Sequence, residues 1–576
     1  LRVDGVFAES LPLRGGRIRG EGDVAAGGLR LDELSLDFDG PALKLGAAAQ
    51  TRDGRLTLDL DAGLTHVPVA RLNQLWPPIA AAKAREWVLK NLTGGLAPSI
   101  TAKATLSAPL DNLADVTPEK VAAEIVVEDA ELHYFRPLPP AVKVTRTVAD
   151  FDGKDFFIRI QGGEVHAPGV DEPVRAGEGV VRIYNVGSPR EDLTVDIGLT
   201  GPLRAVLTVV DLPPLGYPSK LDINPAKTAG QVDGRLKVSL PLFDSVKLDD
   251  VEVQVSAKAT GAAIEKVVAG RDASEGELAV DLDTKAMTVT GKARFDGAPI
   301  TLTWREVFDS KAKGPGTVLE AQGRSDVRHL ATFGPDFLTE YARGPVGAKV
   351  RYASGENRQA TLNVELDLAQ TDLRVAPVNW KKPPGVAAQS RFVMHFLEGK
   401  PTRLTDLRLD GAGLQAAATV QLADGGKEVA RIDAPKVKAG GVDVAVTMTR
   451  SREGVYAIKA TGTSYDVRGL LGDEASFEFP PETARGGGQS PGRKPSPPGA
   501  PPALPSAVSL APPMTVELKV DRLLFGDDRG VADAEGRMRR DGGEWTAIGL
   551  RGQTPPKGDL AIRLDRNAAG TGALTL

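Results

Sequence analysis

The sequence of 576 residues contains no cysteine, which excludes a disulfide framework, a thiol nucleophile and any cysteine-ligated metal. Its few histidines are scattered, without the paired spacing of a helical metal site, so we expect surface or edge positions and predict no metal or other cofactor. These histidines are His66, His133, His166, His329 and His395.

An excess of basic residues is also lacking, because 71 Lys and Arg stand against 76 Asp and Glu. This balance argues against nucleic acid as a partner, since binding it requires a basic surface that releases counterions. Aromatic residues make up only 5% of the chain, which disfavours a carbohydrate-active β-protein with clustered exposed rings.

Long apolar runs are absent as well. No run of about 18 apolar residues occurs, so we expect no helix of this sequence to span a membrane. The chain begins with Leu1 rather than Met and opens within a strand pattern, so we expect a fragment whose signal or membrane anchor lies upstream.

What the sequence has in abundance is alternation of apolar and polar residues. Leu56, Leu58 and Leu60 alternate with polar residues, and Asp39-Gly40 and Asp53-Gly54 separate such segments. Alternation with period 2 predicts half-buried strands, and Asp-Gly between them predicts hairpin turns. We therefore predict a mainly β fold, an elongated, curled antiparallel sheet that forms an open groove, with a short helical pair and a few small helices.

Each predicted strand places about three aliphatic side chains on one face, and burying each contributes roughly 1.5–3 kcal/mol. Few helices are predicted, so this face must meet another sheet, close on itself or bind a ligand. We predict that the aliphatic residues on this face of several strands line a groove. They are Leu56, Leu58, Leu60, Ile125, Val127, Leu236, Val238, Val253, Val255, Leu278, Val280, Leu282, Val364, Leu366 and Leu368.

Similar segments return along the chain, which predicts an array of repeated β segments. Residues 104–110 are similar to residues 236–242, and residues 123–132 to residues 253–262. Residues 364–373 form a third copy of the second segment.

Residues 67–95 depart from the strand pattern and predict a kinked helical pair. Val69, Leu72 and Leu75 share one helix face, and Pro77-Pro78 breaks the run. A second helix carries Trp87 on its apolar face, where the ring would pack in the core or touch the membrane interface, with core packing as the expectation.

The segment L-W-P-P at residues 75–78 and A-K-A-R-E-W-V-L-K-N-L-T-G-G at residues 82–95 resembles a segment of the AsmA-like family, in particular its YhdP branch. Residues 211–217, 224–236 and 372–384 resemble further blocks of that family. The resemblance implies a groove-like β-sheet that lies in the periplasm and is anchored in the inner membrane. It also implies that this sheet carries phospholipids towards the outer membrane. It supplies no catalytic residue.

We therefore predict a periplasmic, bridge-like lipid transfer protein with no catalytic activity. Its partners would be phospholipids, the inner membrane through a segment outside this chain, and outer-membrane or periplasmic proteins. The alternative is a non-catalytic scaffold or assembly factor for outer-membrane proteins. The predicted domains are a β-groove segment at 1–66, the helical pair at 67–95, a repeated β-groove segment at 96–484, a disordered Pro/Gly-rich linker at 485–514 and a truncated β segment at 515–576.

Overall fold

The structure, a computed structural model, describes residues 11–23, 28–78, 81–113, 115–135, 137–242, 246–247, 250–268, 270–308, 314–331, 341–355, 357–471, 512–526, 529–541, 544–554, 558–566 and 572–575. Within these residues the chain is mainly β, a curled sheet with a few small helices, which confirms the predicted fold class. The chain divides into two compact units, unit 1 with Leu1–Gly297 and Arg305–Ala312, and unit 2 with Ala298–Trp304 and Lys313–Leu576. The predicted domain boundaries stay a prediction, and residues 485–511 of the predicted linker lie outside the described residues.

The strands of unit 1 are β1 (Gly15–Asp23), β2 (Gly28–Asp37), β3 (Ala42–Arg52), β4 (Arg55–Pro68), β5 (Leu92–Thr93), β6 (Leu96–Pro109), β7 (Thr117–Leu132), β8 (Ala141–Phe151), β9 (Phe156–Gln161), β10 (Glu164–Val165), β11 (Val174–Tyr184), β12 (Glu191–Pro202), β13 (Thr228–Leu242), β14 (Glu252–Val268), β15 (Arg271–Asp283) and β16 (Ala286–Phe295). Its helices are α1 (Leu72–Leu75), α2 (Ala82–Asn91), α3 (Leu203–Asp211) and α4 (Tyr217–Lys220), with 3-10 turns at Val69–Arg71 and Pro225–Lys227. Strand β17 (Ala298–Val307) has residues in both units.

The strands of unit 2 are β18 (Thr317–Asp326), β19 (Ala342–Arg343), β20 (Pro345–Ser354), β21 (Gln359–Asp367), β22 (Asp372–Val375), β23 (Trp380–Lys382), β24 (Ala388–Leu397), β25 (Lys400–Gly411), β26 (Leu414–Ala423), β27 (Glu428–Ala439), β28 (Val442–Arg450), β29 (Tyr456–Asp466), β30 (Met514–Leu524), β31 (Gly530–Asp541), β32 (Glu544–Thr554), β33 (Gly558–Arg566) and β34 (Gly572–Thr575). Its helices are α5 (Val327–Ala331) and α6 (Arg468–Leu471), with 3-10 turns at Ala376–Val378 and Asp424–Gly426.

In unit 1 most strands pair antiparallel with the strand that precedes them, so the sheet is largely a meander. The turn between β3 and β4 shows why, because Asp53 and Gly54 both have positive φ, at 51° and 75°. Two-residue turns of this kind match the right-handed twist of the strands that they join. The predicted Asp-Gly hairpins are therefore present.

Several strands are bent near one end by residues that sit in the left-handed region of the backbone map. Asp129 in β7 and Lys143 in β8 have φ of 51° and 52°, and the register between these strands shifts after Ala130. In unit 2, Asp406 in β25 and Asp533 in β31 lie at similar register shifts. Such bulges bend a strand and increase its twist, so they curl the sheet.

Unit 2 repeats the antiparallel meander with one exception. β30 runs parallel to β29, with Tyr456 opposite Met514 and Asp466 opposite Leu524. The small strands β19, β22 and β23 form a separate three-stranded sheet. The sheet of unit 2 is therefore mostly antiparallel, with one parallel pair.

Helices and small strands gather at one margin of each sheet, which we name the capped margin. In unit 1 this margin holds α1 and α2 between β4 and β6, and α3 and α4 between β12 and β13. In unit 2 it holds α5 after β18, the β22–β23 hairpin after β21, and α6 after β29. At the opposite ends of the strands, short turns such as Asp53-Gly54 join neighbouring strands, and we name these ends the open margin.

Candidate functional site

In unit 1, residues that lie directly opposite one another in neighbouring strands form an unbroken row of aliphatic side chains. The row passes through every strand from β2 to β14 except the two-residue strands β5 and β10. Directly opposed residues in paired strands lie on the same face of a sheet. The row consists of Leu36, Leu43, Leu64, Ile100, Ile125, Ala149, Ile158, Val181, Val195, Val238 and Val253.

A second row runs beside the first, two residues closer to the open margin. It consists of Ile18, Leu34, Leu45, Ala62, Ala102, Ala123, Phe151, Phe156, Ile183, Leu193 and Leu240. We name the surface formed by the two rows and their same-face neighbours the apolar face of unit 1.

The capped margin covers only part of this face. Leu64, Ile100 and Ile125 pack against the helical pair, in a core built around Val67 and Leu72. Further along the row, Ile158, Val181, Val195, Val238 and Val253 are partly exposed. Aliphatic side chains left partly in water forgo roughly 25 cal/mol for every Å² of apolar surface that stays uncovered. The apolar face thus provides a continuous surface that would gain stability from an apolar ligand.

The opposite face of the same strands is polar and carries ion pairs. Lys103 lies 3.5 Å from Asp61 on the neighbouring strand, and both side chains are exposed. Exposed pairs of this kind contribute about 0–1 kcal/mol each, so this face needs no cover. The continuous apolar surface of these strands therefore lies on the other side of the sheet.

One ion pair of the polar face is shielded. The Arg182 guanidinium stacks 4.3 Å from the Phe157 ring centroid and 4.2 Å from that of Tyr184. Its Nη2 donates to Asp155 Oδ2 at 2.7 Å, which holds the pKa of that carboxyl below its usual value. This arrangement fixes the turns beside β9 and β11, and it is a structural feature of the polar face.

The register places the predicted lining residues of unit 1 on a single face. Leu58 opposes Leu106, Val238 opposes Val253, and Leu282 opposes Val255. Val127 lies on this face but is buried in the core under the helical pair, so it is a core residue instead of a lining residue. The other residues of unit 1 that were predicted to line a groove lie on the apolar face with the rows given above, and their contact with a ligand stays a prediction. They are Leu56, Leu58, Leu60, Ile125, Leu236, Val238, Val253, Val255, Leu278, Val280 and Leu282.

Unit 2 has an apolar face of its own. Its row passes through β18, β20, β21 and every strand from β24 to β33. The row consists of Leu319, Tyr352, Leu362, Met394, Leu404, Val420, Ile432, Met448, Ile458, Val516, Met538, Ile548 and Leu564.

The three predicted lining residues of unit 2 lie near this row but closer to the capped margin. Leu368 is buried in a core with Trp380 and Val327, and Leu366 packs against that core. Val364 is also buried, between Val350 and Phe392 of the neighbouring strands. Leu368 and Val364 are therefore core residues, whereas Leu362 and its opposed neighbours Tyr352 and Met394 are partly exposed.

A short sequence signal that was not predicted marks the start of four caps. Two caps begin with Pro followed by Val or Leu, at Pro68 and Pro202, and two begin with Asp-Val-Arg, at Asp326 and Asp466. Both acidic residues accept a hydrogen bond at 3.0 Å from the backbone N–H two residues on, at Arg328 and Arg468. Each signal ends a strand at the capped margin and begins a helical turn.

The caps of unit 2 are held together by buried polar groups. Lys382 is fully buried, and its Nζ donates to the carbonyls of Ala369, Pro383 and Val386 at 3.2, 3.1 and 2.8 Å. Burial lowers the pKa of this ammonium group. Trp380 Nε1 donates to the Ala412 carbonyl at 3.0 Å.

A second set of buried groups joins α6 to the hairpin that precedes β24. The Tyr465 hydroxyl donates to the Pro377 carbonyl at 2.6 Å, and Asp466 accepts from Asn379 Nδ2 at 3.2 Å. Burial raises the pKa of Tyr465 to about 12. The capped margin of unit 2 is thus one connected, well-satisfied structure, unlike the partly exposed row beside it.

The helical pair agrees with its prediction in one helix and differs in the other. Val69, Leu72 and Leu75 are buried, as predicted for one face of a first helix. The prediction that Trp87 packs in the core is wrong, because its side chain is 51% exposed. Val88 and Leu89 contact the core instead, which turns Trp87 outward on α2.

Candidate metal ligands do not come together in the part of the chain that the structure describes. Among its residues no three His, Asp or Glu side chains form a group that could hold a metal ion. His395 Nε2 lies 2.9 Å from Thr405 Oγ1, and His133 Nε2 lies 3.4 Å from Glu131 Oε1. No helix among the described residues combines the length and the apolar character needed to cross a membrane.

Comparison with known proteins gives one match. The model of a family described as "YhdP protein" matches residues 1–484. The members of this family are proteins of the cell envelope. No curated protein and no solved structure matches the chain significantly.

Proposed function

Since the chain belongs to the YhdP protein family, we propose that its apolar face carries phospholipids by their acyl chains, as part of a bridge-like transfer between the inner and outer membranes. The observation that supports this proposal is the unbroken aliphatic row of unit 1, which leaves Ile158, Val181 and Val195 partly exposed. The protein acts in the periplasm, is anchored in the inner membrane through a segment outside this chain, and has no catalytic activity.

The chemistry of the row suits acyl chains. Each methylene that leaves water for an apolar surface contributes about 0.8 kcal/mol, whatever its position along the chain. Val181, Val195 and Val238 present branched aliphatic groups with no polar group that would fix a ligand at one place. Many small contacts with such a surface together bind an acyl chain firmly. Each single contact is weak, so the acyl chain can move along the row.

The polar head groups remain in water under this proposal. Burying a phosphate or an ammonium group without partners costs several kcal/mol, so a phospholipid keeps its head group hydrated. The open margin, where short turns join the strands, lets head groups project between the margins of the curled sheet while the acyl chains contact the row.

The test is lipid carriage by Val195→Asp beside Thr194→Asp. Both residues lie in β12 and both are partly buried, but Val195 belongs to the row and Thr194 to the polar face. We expect wild type and Thr194→Asp, produced in a Gram-negative host, to copurify with phospholipid. Val195→Asp should lose most of it, because a carboxylate within the row must stay hydrated.

Lipid extraction and mass spectrometry give the number of phospholipids per chain, and circular dichroism shows that each variant is folded. Folded wild-type protein without bound lipid would contradict the proposal and favour a scaffold for outer-membrane proteins. Equal loss from both variants would show that the row has no special part in binding.

A further inference from the structure

Two aromatic side chains of unit 1 meet although they come from distant parts of the chain. Tyr217 is the first residue of α4, between β12 and β13, and Phe308 follows the end of β17. Their ring centroids lie 5.9 Å apart, with an angle of 44° between the ring planes. We name this pair of residues the aromatic clasp.

The two halves of the clasp belong to opposite margins of the sheet. Tyr217 lies in the cap that connects Pro202 at the end of β12 to Thr228 at the start of β13, so it belongs to the capped margin. The Phe308 N–H donates to the Lys285 carbonyl at 2.7 Å. Lys285 lies in the turn between β15 and β16, which is at the open margin.

The distance along the strands shows what this contact requires. β15 runs from one margin to the other in 13 residues, or about 40 Å of extended chain. A flat sheet would hold Phe308 far from α4. The sheet of unit 1 must therefore curl, and the cap between β12 and β13 must reach towards the opposite margin, for the two halves of the clasp to meet.

Both sides of the clasp are positioned by further contacts. α3, which precedes Tyr217, packs through the fully buried Ala205 against Leu199 of β12. Lys220 Nζ lies 4.9 Å from the Tyr217 ring centroid and donates to the Leu215 carbonyl at 3.0 Å. Tyr217 and Phe308 nevertheless remain partly exposed, so their ring contact is open to solvent on one side.

We propose that the aromatic clasp is a gate on the lipid route of unit 1, an inference that rests on the proposed function. A phospholipid that moves along the row carries its head group through the gap between the margins. The clasp fills this gap, and a head group cannot pass beneath it without losing its water. The clasp must therefore open for each phospholipid that passes, and one aromatic contact is weak enough to open often.

The absence of cysteine allows a direct test on the full chain. In Tyr217→Cys/Phe308→Cys the two new thiols are joined by a short linker that a reducing agent cleaves. Transfer of fluorescent phospholipid between donor and acceptor vesicles of phosphatidylethanolamine and phosphatidylglycerol is then measured. We expect linkage to slow transfer at least tenfold and cleavage of the linker to restore it.

A matched control joins two neighbouring strands away from the apolar face. Asp61→Cys/Lys103→Cys places thiols on adjacent strands of the polar face, where both wild-type side chains are exposed. Linkage there should leave transfer unchanged. If the linked clasp variant transferred lipid as fast as its unlinked form, the proposal of a gate would be wrong.

Phe308→Ala provides a second test that needs no linkage. Without the Phe308 ring the clasp cannot close, so this variant should transfer phospholipid at least as fast as wild type. Slower transfer by a folded variant would contradict the proposal of a gate. Transfer by the unlinked protein tests the proposed function, whereas the ratio of linked to unlinked rates tests the gate alone.

Discussion

Buried polar side chains in the caps of unit 2 are satisfied one by one. The ammonium group of Lys382 has three N–H donors, and three backbone carbonyls accept them. Asp466, only 2% exposed, accepts from Asn379 and from its own cap residue Arg468. A buried polar group that lost its partners would cost about 1–3 kcal/mol, so these contacts specify how the caps pack.

Tyr465 makes the stability of this cap dependent on pH. Burial raises its folded-state pKa to about 12, above the value near 10 of an unfolded chain. Between these values the unfolded chain loses the proton first, so stability must fall as pH rises. We expect wild type to lose about 2 kcal/mol more than Tyr465→Phe between about pH 9 and pH 11.5.

Urea unfolding at the two pH values, followed by circular dichroism, measures this difference. At the lower pH Tyr465→Phe should be less stable by about 1 kcal/mol, because it lacks the hydrogen bond to the Pro377 carbonyl. Parallel pH profiles for the two proteins would show that the Tyr465 hydroxyl is not buried as described.

At the scale of elements, the caps depend on a few residues at the strand ends. Asp326 and Asp466 both stop a strand and cap the helical turn that follows. The two sites differ in burial, because Asp466 is almost fully buried and has an additional partner in Asn379.

Substitution of these two residues by Ala should therefore have unequal effects. Loss of a helix N-cap costs about 0.5–2 kcal/mol, which is what we expect for Asp326→Ala. Asp466→Ala should cost more, since Asp466 is almost fully buried and also accepts a hydrogen bond from Asn379 that is lost in the variant. Urea unfolding of both variants checks the order, and an equal or reversed order would contradict the role of Asn379.

Sequence patterns predicted some elements well and others poorly, for physical reasons. Asp53-Gly54 predicted a hairpin because only a few residue types adopt positive φ readily. The outward turn of Trp87 could not be predicted, because α2 offers two apolar stripes and tertiary packing selects Val88 and Leu89. The caps at Asp326 and Asp466 carried a local signal, which becomes visible once their strands are placed at one margin.

At the scale of the molecule, the feature that matters most is the continuity of the aliphatic row in unit 1. A period-2 pattern tells which residues of a strand share a face, so the shared face of Leu58, Val238 and Leu282 was predictable. The pattern does not tell which residue opposes which, because bulges such as that at Asp129 shift the register. The row and the clasp at Tyr217 therefore required the structure.

A continuous aliphatic row predicts an experimental result that differs from the one expected for a set of separate pockets. Ile158→Asp and Val253→Asp interrupt the row of unit 1 at two distant strands. In a conduit each substitution should abolish most phospholipid transfer between vesicles while removing only a fraction of the copurified lipid. A loss of transfer that only matches the loss of bound lipid in each variant would indicate independent sites.

The strand order of unit 1 also governs how the sheet is assembled. β2, β3 and β4 each pair with the strand just completed, so every contact of this meander is short in sequence. Proteins dominated by such local contacts fold faster than those that wait for distant partners. During synthesis the N-terminal strands appear first, so the chain can add one hairpin at a time to the edge of the sheet already formed. The aliphatic row then lengthens without an interval in which many unpaired strands are exposed together.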